Sequence, residues 1–133
     1  MLRLEIVTPE KRVLDAEVDS VTVMTATGEA GILPNHVPLI SALKPGILTY
    51  VTKGSSEKLA ISGGFVEVNG STVSVLADTA STAGEIDLAE AKTDKEAAEK
   101  AFAAVASGSI EETEFAREQV EAASIRMQLA SGK

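Results

Sequence analysis

LAISGGFVEVNGSTVSVLA, residues 59–77, decides the fold. Leu59 and Ile61 alternate with smaller neighbours, and Val73 and Val75 alternate between Thr72, Ser74 and Leu76. A two-residue period places every second side chain on one face, the pattern of a strand with one buried side. The apolar set runs Leu59, Ile61, Gly63, Phe65 and then changes phase to Val66 and Val68. A phase change beside a glycine pair predicts a bulge or sharp bend at Gly63–Gly64. A phosphate cradle would place such glycines between a strand and a helix, and no helical pattern follows. Asn69–Gly70 predicts a tight hairpin turn, because both residues tolerate positive φ.

Similar runs fill the chain before residue 84. Leu2, Leu4 and Ile6 alternate with polar neighbours, as do Val21 and Val23. Turn signals separate the runs at Pro9–Lys11, Thr27–Glu29, Lys44–Gly46 and Lys53–Ser56. Many short strands at this spacing predict an all-β sandwich or barrel. With no tryptophan, one tyrosine and three phenylalanines, its core is aliphatic.

The pattern changes near residue 84, dividing the chain into a β part, 1–84, and a helical part, 85–133. Leu88, Ala91, Ala98, Phe102 and Val105 recur at helical spacing, with Lys95 the one polar member of the stripe. Asp87 is positioned to cap the first helix, with Glu90 three residues on. Ser107–Gly108–Ser109 ends it, and Ser109 with Glu112 starts the next. The second helix, roughly 110–130, carries Thr113, Ala116, Val120, Ala123, Met127 and Ala130 at gaps of 3, 4, 3, 4 and 3. That seam is coiled-coil-like. Two helices of ~20 residues, each ~30 Å long, joined by a short glycine loop form an antiparallel hairpin. Its alanine-rich seam buries little area, and isolated helices of this length are marginal in water. The hairpin is therefore the weaker half, able to detach or extend unless something holds it.

Composition narrows the function. The chain of 133 residues has a net charge of -8, which argues against nonspecific binding to nucleic acid or anionic lipid. No apolar run approaches the ~20 residues of a membrane helix, so no direct membrane insertion is expected. There is no cysteine and one histidine, His36, so no metal cluster of the usual spacing is expected. Nothing near His36 resembles a nucleophile elbow, and there is neither a P-loop nor a dinucleotide fingerprint. Most helical carboxylates neighbour lysines and read as solvated faces. An interaction module fits these residues better than an enzyme does, and no catalytic residue is assigned. A β-sandwich hydrolase using Glu29 and His36 as acid and base is the enzymatic rival.

GEAGILPNHVPLISALKPGIL (residues 28–48), SGGFVEVNGSTVSVLADTA (62–80) and IDLAEA (86–91) stand in this order ahead of an α-hairpin. Together they resemble the epsilon subunit of the F-type ATP synthases of bacteria and plastids, over the whole chain. The resemblance implies a ten-stranded β-sandwich followed by a C-terminal antiparallel two-helix hairpin. It implies a non-catalytic rotor subunit of a proton- or sodium-coupled enzyme, peripheral on the cytoplasmic face of the bacterial plasma membrane. Its implied partners are the gamma subunit, the c-subunit ring and, through the hairpin, the alpha/beta catalytic head. It places Glu29 and His36 in loops at the ring-facing end, with Gly31, Pro34, Asn35 and Pro38 shaping the rim. Prolines would stiffen such a rim and reduce the entropy lost on docking.

Some members of that family bind ATP through an Ile/Leu-Asp-x-x-Arg-Ala motif on the first helix and arginines on the second. Ile86, Asp87 and Ala91 match, but Glu90 stands at the arginine position. Arg126 is present on the second helix, while the turn before it has Ala122 and Ala123. A carboxylate facing a polyphosphate reverses the required electrostatics, so ATP binding is expected to be weak or absent and no cofactor is assigned. An ATP-sensing regulatory module, with Asp87 and Arg126 at its site, is the alternative function. Inhibition of hydrolysis in the family is associated with basic residues on the second helix meeting an acidic segment of beta. Residues 109–133 hold Arg117, Arg126 and Lys133 against Glu111, Glu112, Glu114, Glu118 and Glu121, three cations against five carboxylates, net -2.

Overall fold

The computed structural model describes residues 1–34, 37–105 and 108–131. Ten strands come first: β1 (Leu2–Val7), β2 (Arg12–Val18), β3 (Ser20–Thr25), β4 (Gly28–Ile32), β5 (Leu39–Leu43), β6 (Gly46–Thr52), β7 (Ser55–Ile61), β8 (Gly64–Asn69), β9 (Thr72–Ala77) and β10 (Ala80–Thr82). A single 3₁₀ turn (Ala83–Glu85) leads to helices α1 (Leu88–Ala104) and α2 (Ile110–Ala130).

Hydrogen bonding runs β10-β7-β6-β3-β5-β8-β9-β1-β2, with β4 on the other side of β3. The β3–β5 link is one residue pair, Thr25 with Leu43. That link is a corner, and it divides the strands into two five-stranded layers, β10-β7-β6-β3-β4 and β5-β8-β9-β1-β2. Among the described residues, only β1 and β9 pair in parallel. Most of the expected inward residues meet between the layers, joined by Ile32 and Leu48. Leu2, Leu4, Ile6, Val66, Val68, Val73 and Val75 come from one, and Val21, Val23, Ile32, Leu48, Leu59 and Ile61 from the other, all buried. Thr25, the buried polar residue at the corner, donates its hydroxyl to the Gly28 carbonyl at 2.7 Å and accepts from the Thr27 N–H at 3.3 Å. Its polar atoms are thus satisfied locally by the β3–β4 turn.

The bend expected at Gly63–Gly64 is a passage between layers. Strand β7 ends at Ile61 and β8 begins at Gly64 in the opposite layer. Both glycines take positive φ, 143° and 126°. A Cβ on Gly64 would collide with the Leu76 carbonyl oxygen, so this crossing needs glycine on two counts. The return crossing, 77–80, runs beside it. The Asp78 N–H donates to the Gly63 carbonyl at 3.0 Å, and the Thr79 N–H to the Ser62 hydroxyl at 3.0 Å. Because the layer changes, Phe65 faces outward, 58% exposed, contrary to its expected inward place. The next turn is also displaced by one residue from the expected position. Asn69 pairs with Thr72, so Gly70 and Ser71 form the loop, and of these Gly70 has positive φ.

The helices start where their caps predict. The Asp87 carboxylate accepts the Ala89 and Glu90 N–H groups at 2.9 and 3.2 Å. The Ser109 hydroxyl accepts the Glu112 N–H at 3.1 Å. On α1, Ala91 is buried and Lys95, Ala98 and Phe102 are half-buried, but Leu88, on the first turn, is exposed. The seam of α2 is present, with Ala116 and Ala123 buried and Thr113, Val120, Met127 and Ala130 half-buried. A second face of α2 was not expected. Ala122 and Leu129 are buried too, and α2 lies on β6, β7 and the 3₁₀ turn. Leu129 lines a groove of about 370 Å³ at the sandwich surface together with Val13, Leu14, Tyr50 and Leu59. Leaving this seat would expose a leucine, so the seat holds the hairpin down.

Candidate functional site

Three surfaces concentrate the residues of interest: a rim, an apolar sheet face and a cleft at the base of the hairpin.

The rim is built by β4 and the segment after it. Pairing with β3 sets the alternation: Met24 faces Glu29 and Thr22 faces Gly31. Glu29 and Gly31 therefore point outward and are exposed, while Ile32 is buried. Both residues lie within a strand, where a loop was expected for Glu29, because the GEAGI stretch pairs along β3. Pro34 and Pro38 are exposed beyond the strand end. Asn35 and His36 lie outside the described residues. Leu33, Val37 and Ile40 surround this segment at 62%, 71% and 73% exposure.

The sheet face is the outer side of the β5-β8-β9-β1-β2 layer. Ala42 faces Phe65 across β5–β8, Phe65 faces Leu76 across β8–β9, and Leu76 faces Val7 across β9–β1. At ~4.8 Å per strand this row spans about 14 Å. Phe65 and Leu76 are 58% and 57% exposed and border a groove of about 370 Å³ with Val7, Pro9 and Ala77. The adjoining row is polar beyond Ile40: Ile40, Glu67, Ser74, Glu5 and Asp15 stand opposite one another in turn. Arg3 grips Asp15 with two parallel bonds, Nε to Oδ1 at 3.0 Å and Nη2 to Oδ2 at 2.8 Å. Arg12 reaches Asp15 at 3.3 Å, and Arg3 also reaches Glu5 at 3.3 Å. The hydrogen bonds from Arg3, with its charge and that of Arg12, hold the Asp15 carboxyl below the usual range against a smaller opposing effect of burial. The same pairing raises the Arg3 guanidinium. The face is thus an apolar stripe beside a pre-ordered charged border.

Asp87 and Arg126, 39 positions apart, line one cleft of about 150 Å³ with Glu85, Glu90 and Asp94. Four carboxylates surround one guanidinium, and Arg126 already pairs with Asp94 at 3.4 Å. Asp87 is committed to capping α1. Glu85 accepts both the N–H and the hydroxyl of Thr82, at 3.0 and 3.1 Å, and lies 3.8 Å from Lys11. The Thr82 N–H, then its hydroxyl, lower the Glu85 pKa, and Lys11 adds to this. Such a cleft repels polyphosphate, and it is smaller than the ~300 Å³ at which ligand pockets usually begin. Among the described residues, no group of three or more His, Cys, Asp or Glu is arranged to hold a metal ion. Nor is any helix there long and apolar enough to cross a membrane.

Sequence reasoning did not name Leu33, Val37, Ile40, Phe65 or Leu76 as contact residues. A signal existed for three of them. Once Val66, Val68 and Val75 point inward, Phe65 and Leu76 must point outward, and Ile40 alternates out beside Leu39. Large apolar side chains that adjoin at outward strand positions form the contiguous patch that marks an interaction surface.

Comparisons with known proteins agree with this architecture. The family model described as the ATP synthase, Delta/Epsilon chain, beta-sandwich domain matches residues 1–83. The chain is 52% identical over 98 residues to the ATP synthase epsilon chain of Desulforamulus reducens, covering 74% of each. It is 43% identical over 132 residues to that of Geotalea uraniireducens, covering 98% of this chain and 94% of the relative. A chain in the Euglena gracilis mitochondrial ATP synthase structure, OSCP/F1/c-ring in rotational state 1, superposes with a TM-score of 0.76 at 26% identity, covering 93% of this chain and 78% of that one. A chain in the Tetrahymena thermophila mitochondrial ATP synthase central stalk/c-ring structure gives a TM-score of 0.61 at 17% identity, covering 98% and 94%, a likeness of fold alone.

Proposed function

Because the chain belongs to the ATP synthase epsilon-chain family, we infer that it is a non-catalytic central-stalk subunit, linking gamma to the c-ring and associated with the F1 head. It works by docking, and its surfaces divide that task. The outer face of the β5-β8-β9-β1-β2 layer takes gamma, and the apolar row Ala42–Phe65–Leu76–Val7 is the observation that carries this reading. Burying such a row gives an aliphatic-aromatic anchor, while the Arg3–Asp15 fork holds the border rigid. The rim of Glu29, Gly31, Asn35, His36 and Pro38 meets the c-ring and the foot of gamma. Residues 1–84 are the docking unit. Residues 85–133 are a regulatory arm, seated here on β6 and β7, that reaches the alpha/beta head when it detaches. The subunit is peripheral to the membrane, on the cytoplasmic side in a bacterium.

An ATP-sensing role is less well supported, since the cleft joining Asp87 and Arg126 is acidic and small. The test is co-purification of the full chain with gamma. Phe65→Asp and Leu76→Asp are expected to weaken the complex at least tenfold, because each puts a carboxylate into the apolar contact. Their thermal melts should match wild type, since both positions are exposed. Undiminished binding by both variants would remove this face as the gamma contact.

A further inference from the structure

The sandwich-facing stripe of α2 is longer than its seat. Leu129 and Ala122 lie seven residues apart on this stripe and are buried. Seven residues is two helical turns, so the next position up the same stripe is Phe115. Phe115 is 67% exposed, and Ile110 at the start of the helix is 79% exposed. The stripe therefore overhangs its seat and ends in an uncovered aromatic ring.

The surroundings of that ring carry one sign. Residues 110–121 hold Glu111, Glu112, Glu114, Glu118 and Glu121 against Arg117, five carboxylates to one cation, net -4. Glu111 and Glu118 stand four before and three after Phe115, the spacings that place them beside the ring. Arg117 is occupied within the helix by Glu114 at 4.0 Å and Glu121 at 3.7 Å. Among the described residues no cation lies within ion-pair distance of Glu111, Glu112 or Glu118. Desolvating this field against an acidic surface would set like charges together, which disfavours such a partner.

We propose that the first three turns of α2 form a docking ridge, Phe115 its anchor and Glu111 and Glu118 its rim, for an apolar-floored groove edged by lysine and arginine on an adjoining subunit. The inference rests on the rotor-subunit reading and adds the sign and the anchor of a contact. It reverses the charge pattern that a basic second helix meeting an acidic segment would need. Two independent features carry it. The stripe continues an interface that is already formed lower on the same helix, and the charge around it admits a basic partner.

The test uses the full chain, with p-benzoylphenylalanine in place of Phe115, assembled with gamma, the alpha/beta head and the c-ring and then irradiated. Cross-links are expected to a peptide of another subunit with an excess of lysine and arginine. The double variant Glu111→Lys with Glu118→Lys is expected to lower the yield about tenfold, a change of ~1.4 kcal/mol. Both substitutions are exposed, and circular dichroism checks that the helix persists. Cross-links confined to this chain, a cross-linked peptide rich in acid, or a yield unchanged or raised by charge reversal would each overturn the ridge. A chain that enters the complex without cross-linking removes the ridge alone. A chain that fails to enter it removes the rotor reading as well.

Discussion

Leu129→Ala tests how the hairpin is held. Leu129 is 8% exposed on the helix that lies against β6 and β7, and it lines one groove with Leu59, Tyr50, Val13 and Leu14. Truncation of a buried leucine costs ~2–5 kcal/mol, and the lower end applies beside a groove that water can enter. About 2 kcal/mol multiplies the undocked population of the hairpin by roughly 30. Little else offsets the loss. The α1–α2 seam is rich in alanine, and the Arg126–Asp94 pair is a surface contact worth less than ~1 kcal/mol. Isolated helices of this length are marginal, so undocking should expose the backbone of α2 to exchange. Hydrogen exchange resolved by residue is the assay. Protection of α2 should fall roughly 30-fold, while β8 and β9 keep theirs. Equal loss across β8, β9 and α2 would show one cooperative unit and refute a separately held arm. Unchanged protection of α2 would refute Leu129 as its anchor.

Gly64→Ala is expected to destabilise the sandwich by at least ~1–3 kcal/mol, the cost of an unfavourable backbone conformation, before the collision with the Leu76 carbonyl is added; an unchanged urea midpoint would count against the glycine argument. Asp15 has a folded pKa below its ordinary 3.8, so its stabilisation is present above that value and fades as pH falls through the lower folded one. In Asp15→Asn the melting temperature should accordingly decline less steeply than wild type as the pH is taken below 3.8, and identical slopes would contradict this. Calorimetry of the purified chain should show no micromolar ATP binding. Joint replacement Glu90→Arg and Asp94→Asn should strengthen any weak binding, by removing two carboxylates and freeing Arg126; micromolar affinity in wild type would overturn the electrostatic argument.

The distribution of legible features follows the range of the forces behind them. Alternation in β1, β3, β7 and β9 was readable, because two-residue periodicity is a property of each strand's own pleat. Asp87 and Ser109 were readable as caps, because each satisfies N–H groups two or three residues away. Asp87 and Arg126 were named from a motif, and the fold brings them to one cleft. No local pattern showed that Asp94 would occupy Arg126, since 32 residues separate them. Phe65 was assigned to the wrong face for a related reason. A glycine pair permits a bend within a layer or a crossing between layers, and both leave the same trace in the sequence.

By itself the sequence determined a β part followed by two helices, where the helices begin, and that the core is aliphatic. These follow from nearest-neighbour geometry and side-chain chemistry. Only the tertiary structure decided that β1 lies beside β9 and that β7 and β8 belong to different layers. It alone left Ile40, Phe65 and Leu76 uncovered and gave α2 a second buried face of Ala122 and Leu129. Alanine packs equally on a partner helix, on a sheet or at the surface, so its position carries little directional signal. The surface it meets is formed by residues far away in the chain, which chain folding alone brings within reach.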